Sequence, residues 1–130
     1  MFYSNGNRDD RVDEIIMVTT NYVPGKSISK VIGPIWGITV RSRGIGGNIM
    51  AGLRSLGGGE IKEYTKMLSD ARSTALSRLS QAASEIGANA VIEMRFDSSD
   101  IGQVMTEIVA YGTAVVVENV SGDVEKVSLS

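Results

Sequence analysis

Residues 60–97 read EIKEYTKMLSDARSTALSRLSQAASEIGANAVIEMRFD, and a change of pattern within this stretch decides the fold. In its first part, apolar side chains recur every three or four positions, as on one face of an amphipathic helix. These side chains are Ile61, Tyr64, Leu68, Ala71, Ala75, Leu79, Ala82 and Ile86. The spacing predicts a helix of about 27 residues, roughly 40 Å long, that ends at a left-handed glycine, Gly87.

The period changes to two in VIEMRFD, residues 91–97. This alternation predicts a strand with one buried face, formed by Ile92, Met94 and Phe96, and one charged face, formed by Glu93, Arg95 and Asp97. SSDIG, residues 98–102, predicts a turn. The following stretch to Glu118 predicts a longer strand, antiparallel to the first because the two form a hairpin.

Upstream of the helix, two β-rich segments precede a Gly-rich segment. Residues 15–20 form a short β-rich run, and residues 29–41 predict a second extended stretch. Pro34 has no N–H to donate to a sheet, so this strand lies at an edge, is bulged or is broken near Gly33 and Pro34. Asn48 is a candidate N-cap for a short helix to Leu56.

The predicted fold class is therefore α+β, with a small antiparallel or mixed β-sheet packed against one long helix plus a short helix. One domain is expected over residues 14–119, after a flexible N-terminal arm over residues 1–13 and before a C-terminal tail over residues 120–130. Residues 114–117 are apolar on both faces of their strand, whereas the long helix covers one face of a sheet. We expect self-association to cover the other face; the alternative is that the short helix and the N-terminal strand cover it within the monomer.

Composition bounds the chemistry of the chain. A formal net charge of −2 over 130 residues does not favour nucleic acid as a partner. No apolar run approaches the roughly 18 to 20 residues of a membrane helix, so we expect a cytoplasmic protein without a membrane partner. The sequence has no Cys and no His, which excludes a Ser-His-Asp or Cys-His nucleophile within one chain and the usual zinc ligands.

Two Gly-rich stretches are candidate ligand loops. GGGEIK starts with Gly57, Gly58 and Gly59, but Glu60 follows where a phosphate loop needs lysine and a hydroxyl, so a structural hinge is favoured. RSRGIGGN, residues 41–48, follows a strand and precedes a helix start, which favours anion binding by backbone N–H groups and arginines. The predicted anion or ligand site is Arg41, Arg43, Gly46 and Gly47; the alternative is a turn whose arginines are solvated or bridge subunits.

Four segments occur in an order that resembles the YbjQ-like family, which is labelled as heavy-metal-binding. They are RGIGGNIMAGLRSLGGG, the EYT start of the long helix, ARSTALSRLSQAASEIGANAVI, and YGTAVVV, and the resemblance covers about residues 15–118. It implies a small α+β subunit similar to that of dodecin, assembled into a ring of five or two stacked rings. It supplies no established catalytic or binding residues.

A heavy metal prefers thiolate, thioether or imidazole ligands, and in this chain only methionine sulfur is available. Met94 and Met105 lie on adjacent predicted strands and are weak candidates for a thioether site, although methionine is more often core filler. Asp97 and Asp100 are weak candidates for a hard cation, without the spacing of a closed ligand loop. We therefore assign no metal site and no cofactor.

The sequence predicts a non-catalytic homo-oligomer, with a pentamer favoured, that binds a small ligand at a subunit interface if it binds one at all. Two alternatives stay open. One is a metal-binding protein, as the family label states. The other is an enzyme that uses carboxylate, Lys or Arg chemistry in a cleft between subunits.

Overall fold

The computed structural model describes residues 14–42 and 62–120, which form one sheet and one helix. The elements are β1 (Ile16–Met17), β2 (Lys26–Ser42), α1 (Lys62–Glu85), β3 (Ala90–Ile101) and β4 (Met105–Asn119). The sheet order is β1-β3-β4-β2, with β1 parallel to β3 and the other neighbours antiparallel. The predicted α+β class with a mixed sheet and a long helix is confirmed. Within these ranges, no helix is both long and apolar enough to cross a membrane.

The helix packs on the sheet through small side chains. Ala71, Ala75, Leu79 and Ala83 recur every four residues and are fully buried. They face Gly37 of β2, where an added Cβ would lie 2.5 Å from the carbonyl oxygen of Ala75 and closer still to the backbone nitrogen of Leu79. The absence of a side chain at Gly37 therefore lets the helix backbone lie directly against β2 and β4.

The helix ends as the sequence predicts. Gly87 has a φ of 86°, its N–H donates to the carbonyl of Ser84, and the N–H of Ala88 donates to the carbonyl of Ala83. This pair of bonds is the Schellman pattern, which satisfies the last carbonyls of a helix. The prediction that Ile86 continues the buried face was wrong, because Ile86 lies beyond the last helical turn and is 48% exposed.

A β-bulge in β3 changes which side chains share a face. Ile92 pairs with Thr113 and Arg95 with Tyr111, so β3 contains one extra residue between them, and Glu93 has a φ of 54°. The bulge places Met94 and Phe96 on the helix side together with Val91. Ile92 instead packs on the opposite side with Val115 and Val117, so the predicted grouping of Ile92 with Met94 and Phe96 was wrong.

The hairpin turn lies later in the chain than predicted. β3 continues through Ser98, Ser99 and Asp100 to Ile101, and the turn occupies residues 102–104. Ile101 pairs with Met105 across this turn. The antiparallel pairing of the two strands is as predicted.

β2 lies at the edge of the sheet, which is one of the alternatives that Pro34 predicts. The register between β2 and β4 shifts twice, between Ile28 and Lys30 and between Val31 and Gly33. Pro34 itself pairs with Thr113, and the strand continues beyond it to Ser42. The strand is thus bulged next to Pro34 and is not broken there.

The apolar residues of β4 that first indicated self-association are covered within the chain. Ala114 belongs to the core beneath the helix. Val115 and Val117 pack on the other side of the sheet against the N-terminal segment, which contributes Ile16, Val18 and Val23. At this end of the sheet the N-terminal segment covers the second face, as the alternative interpretation states for the N-terminal strand; the short helix of that alternative lies outside the described residues.

Candidate functional site

In the part of the chain that the structure describes, two surfaces stand out beside the core, one on each face of the sheet. The outer strip is the name used here for Trp36, Ile38 and Val40 of β2 with Val109 and Tyr111 of β4. The helix–β3 groove is the name used for the cleft between α1 and the second half of β3. Neither surface corresponds to a residue set predicted as a ligand site.

The outer strip lies on the face of the sheet that the helix does not cover. Trp36 pairs with Tyr111 and Ile38 with Val109, so these four side chains form two adjacent cross-strand rows. Trp36 is 58% exposed and Tyr111 is 41% exposed. Val40 extends the strip toward the end of β2 and is also exposed. Contiguous apolar surface of this kind marks interaction sites in soluble proteins.

The helix–β3 groove exists because the helix lies over β2 and β4. α1 packs mainly on these two strands and touches β3 at few positions. The second half of β3 therefore extends beyond the cover of the helix, and a cleft of about 530 Å³ forms between them. This volume is within the range of small-molecule sites, roughly 300 to 1,000 Å³.

The groove combines an apolar floor with a polar rim. The floor is formed by Leu68, Leu76, Phe96 and Ile108. The rim carries hydroxyl groups and one guanidinium, contributed by Thr65, Ser69, Arg72, Ser73 and Ser98. Among the described residues that line the groove, Arg72 is the sole ionisable side chain.

Arg72 is held at the groove by an aromatic ring. Its guanidinium carbon lies 5.0 Å from the centroid of the Phe96 ring, which is the geometry of a cation–π contact. No carboxylate in the described ranges pairs with it. Sequence reasoning missed this site, although Leu68, Arg72 and Leu76 follow one another at steps of four and so share a stripe of the helix.

Arg41, one of the residues predicted to bind an anion, makes hydrogen bonds within the chain. It donates through Nη2 to Thr74 Oγ1 at 2.8 Å and through Nε to Thr39 Oγ1 at 3.3 Å. These bonds connect β2 to the helix. Arg43, Gly46 and Gly47 lie outside the described residues, as do the predicted short helix and the hinge glycines Gly57, Gly58 and Gly59.

The weak metal candidates are not brought together. Met94 lies beside Gly112, whereas Met105 pairs with Ile101 at the hairpin turn, so roughly 20 Å of strand separates the two sulfur-bearing residues. Asp97 pairs with Val109 and Asp100 with Thr106, which places the two carboxylates on opposite faces of the sheet. In residues 14–42 and 62–120, no three side chains of His, Cys, Asp or Glu form a metal-binding group.

Thr106 is a further polar residue on the helix side of the sheet. It is 6% exposed, and its hydroxyl has no hydrogen-bond partner in the described part of the chain. It pairs with Asp100 on one side and Arg41 on the other, so these three positions form one cross-strand row. The row places Arg41, which was predicted to bind an anion, in line with Asp100, a weak candidate for binding a cation.

The fold defines a class of small α+β proteins in which one long helix covers one side of a four-stranded mixed sheet. The chain belongs to the YbjQ family, whose model is described as "Putative heavy-metal-binding" and matches residues 15–118. The family resemblance stated from the sequence is thereby confirmed.

Relatives from archaea share most of their length with this chain. A UPF0145 protein of Thermoplasma volcanium is 75% identical over 93% of this chain and 99% of its own length. A UPF0145 protein of Thermoplasma acidophilum is 72% identical over 92% of this chain and 100% of its own length.

The fold is also similar to that of a solved structure. It is a protein of unknown function of the DUF74 family from Pediococcus pentosaceus, with a TM-score of 0.52 and 13% sequence identity. The match covers 80% of this chain and 98% of that protein. At this identity the likeness concerns the fold alone.

Proposed function

We propose that this chain is a non-catalytic subunit of a homo-oligomer, with a ring of five copies favoured, and that the assembly acts as a scaffold or binding module. The observation that carries the proposal is the outer strip. Trp36, Val40 and Tyr111 are each more than two-fifths exposed; Trp36 pairs directly with Tyr111, and Val40 lies on the same face beyond the Ile38–Val109 row. A second copy that packs on this face would remove their apolar surface from water.

The two edges of the sheet are formed by different strands, and this favours contacts between unlike surfaces of neighbouring subunits. β2 is 17 residues long, and over residues 26–41 its one strand neighbour in the described part of the chain is β4. At the other side of the sheet, β1 pairs with β3 at Ala90 and Val91, and residues 96–99 of β3 have β4 as their one strand neighbour among the described residues. Two different free edges on opposite sides of one subunit favour head-to-tail contacts, and such contacts close into rings when the rotation allows it.

Light scattering coupled to size exclusion tests the proposal. We expect the wild type to elute at a multiple of 13.8 kDa, with five subunits favoured. Trp36→Glu should shift the mass toward the monomer, because a carboxylate in the contact would lose its hydration without a partner. The matched control is Tyr22→Glu, since Tyr22 is 56% exposed and lies outside the outer strip. A wild-type mass near that of one subunit at micromolar concentration would contradict the proposal.

Fluorescence gives a second readout of the same contact. Trp36 is the single tryptophan of the chain, so its emission reports the outer strip alone. If the strip is an interface, dilution to the monomer should move the emission to longer wavelength while the far-ultraviolet circular dichroism stays unchanged. An emission maximum that does not depend on concentration, together with an oligomeric mass, would place the interface elsewhere on the subunit.

A further inference from the structure

We propose that the helix–β3 groove binds a small amphipathic carboxylate, meaning a molecule with an apolar body and one carboxylate group. The apolar body would lie on the floor of the groove, and the carboxylate would accept hydrogen bonds from the guanidinium of Arg72.

The apolar floor of the groove is the reason to expect a ligand with an apolar body. Ile108 at the base is 2% exposed, and Leu68, Leu76 and Phe96 are half-buried around it. These four side chains come from the helix and from both strands of the hairpin, so the floor is concave and belongs to well-packed elements. A ligand in contact with them gains apolar burial at little cost in ordering the protein.

The positive charge at the rim of the groove is the reason to expect a carboxylate group on the ligand. Arg72 supplies a positive charge, and none of the described side chains lining the groove supplies a negative one. The Phe96 ring already restrains the guanidinium, so less side-chain freedom is lost when a ligand binds it. A planar guanidinium matches the two oxygens of a carboxylate and donates to both.

The number of charges limits the class of ligand. One guanidinium balances one carboxylate, whereas a di- or triphosphate would bring several charges to a rim whose other polar groups are serine and threonine hydroxyls. The hydroxyls of Ser69, Ser73 and Ser98 are suited to donate single hydrogen bonds beside the arginine. The groove therefore favours a monoanion.

Ligand binding in the groove and assembly through the outer strip use opposite faces of the sheet. Phe96, Ser98 and Ile108 face the helix, whereas Trp36 and Tyr111 of the outer strip face the opposite side of the sheet. Trp36→Glu should therefore abolish assembly without changing ligand affinity. This difference separates failure of one proposal from failure of the other.

Calorimetric titration of the full chain with three probes tests the ligand class. Octanoate, below the concentration at which it forms micelles, carries both features that the groove requires. Octan-1-ol has the same apolar body without the charge, and acetate has the carboxylate without the body. We expect octanoate to bind at one site per chain, at least about tenfold more tightly than octan-1-ol and acetate, since hydrogen bonds to charged groups contribute that much.

A pair of matched variants tests the role of Arg72, and a third variant tests the groove itself. Arg72→Met keeps the apolar stem and removes the charge, and it should weaken octanoate at least about tenfold while leaving octan-1-ol unchanged. Lys66→Met removes the same charge from the same helix, but Lys66 pairs with Asp70 and does not line the groove, so octanoate affinity should stay within about twofold. Ser98→Phe places an aromatic ring in the groove on a strand that tolerates it, and it should abolish binding of both long-chain probes.

Amide chemical shifts locate the bound probe. With octanoate, the shifts should concentrate on the helix between Thr65 and Leu76 and on β3 near Phe96 and Ser98. The proposal is overturned by equal affinity for octanoate and octan-1-ol, by equal effects of Arg72→Met and Lys66→Met, or by shifts centred elsewhere. Absence of octanoate binding to the folded wild type at millimolar concentration overturns it as well.

Discussion

Replacing Gly37 by alanine tests the contact that sets the position of the helix. Gly37 lies in β2 with ordinary strand geometry, so its backbone accepts alanine without strain, and any cost must come from the added methyl group. That methyl group would lie 2.5 Å from the carbonyl oxygen of Ala75 and 2.8 Å from the carbonyl carbon of Arg78, whereas ordinary contacts of a Cβ lie at 3.4–4 Å. The deficit is about 1 Å, and both obstacles are backbone atoms of the helix.

The helix must therefore move away from the sheet, since no rotamer change can relieve the contact. Such a movement opens a gap along Ala71, Ala75, Leu79 and Ala83, which have no exposed surface. Overpacking of a core typically costs 1 to 3 kcal/mol, and we expect about 3 kcal/mol because backbone yields less than side chains do. For a chain of this length that loss corresponds to a fall of roughly 10 °C in Tm.

Urea unfolding followed by far-ultraviolet circular dichroism measures the loss at a fixed protomer concentration, because assembly makes apparent stability depend on concentration. Gly25→Ala is the matched control. Gly25 has a φ of 76° and no atom within 4 Å of an added Cβ, so alanine there should cost only about 1 kcal/mol of backbone strain. If Gly37→Ala loses less stability than Gly25→Ala, the reasoning about helix approach is wrong.

Two further predictions concern the end of the sheet and metals. Asn89 accepts a hydrogen bond from the N–H of Val117 at 2.8 Å and donates Nδ2 to its carbonyl at 3.0 Å, so Asn89→Ala should cost about 1 to 3 kcal/mol in urea unfolding. Gln81→Ala, on the exposed side of the helix, should change stability by less than about 0.5 kcal/mol, and a similar loss in both variants would contradict this. Because the chain has no Cys and no His, calorimetric titration with zinc, cadmium or mercury should show no tight stoichiometric binding; one equivalent bound below micromolar Kd would support the family description instead.

The elements with a strong local signal could be predicted from the sequence. The helix was predicted within two residues of the described start at Lys62 and one of its end at Glu85, because periodic apolar residues and Gly87 are local features. An edge position and a bulge in β2 were among the predicted alternatives for a similar reason, since the missing N–H of Pro34 limits its place in any sheet. The family was identified from the order of several such segments along the chain.

The errors arose where the outcome depends on contacts between distant residues. Alternation in VIEMRFD shows no sign of a bulge, yet the N–H groups of Glu93 and Met94 donate to the carbonyls of Thr20 and Val18, more than seventy residues earlier in the chain. Where the N-terminal segment docks, Glu93 adopts a left-handed backbone conformation. Ile92 therefore lies on the face of the sheet opposite to the predicted one. The same segment covers Val115 and Val117, which the sequence alone had indicated as a surface for another subunit.

For the candidate sites too, some properties follow from the sequence alone and others only from the tertiary structure. Composition by itself determined that neither thiol nor imidazole chemistry is available, because residue types do not depend on folding. Only the tertiary structure decided that Arg72 stands over Phe96 and that Trp36, Ile38 and Tyr111 share an open face. Each of these groupings joins residues that are far apart in the sequence, and the contact of Gly37 with the helix and the register of the strands bring them together. Periodicity reports which side of one element is apolar, whereas the position of that element on its neighbours is set by packing between elements.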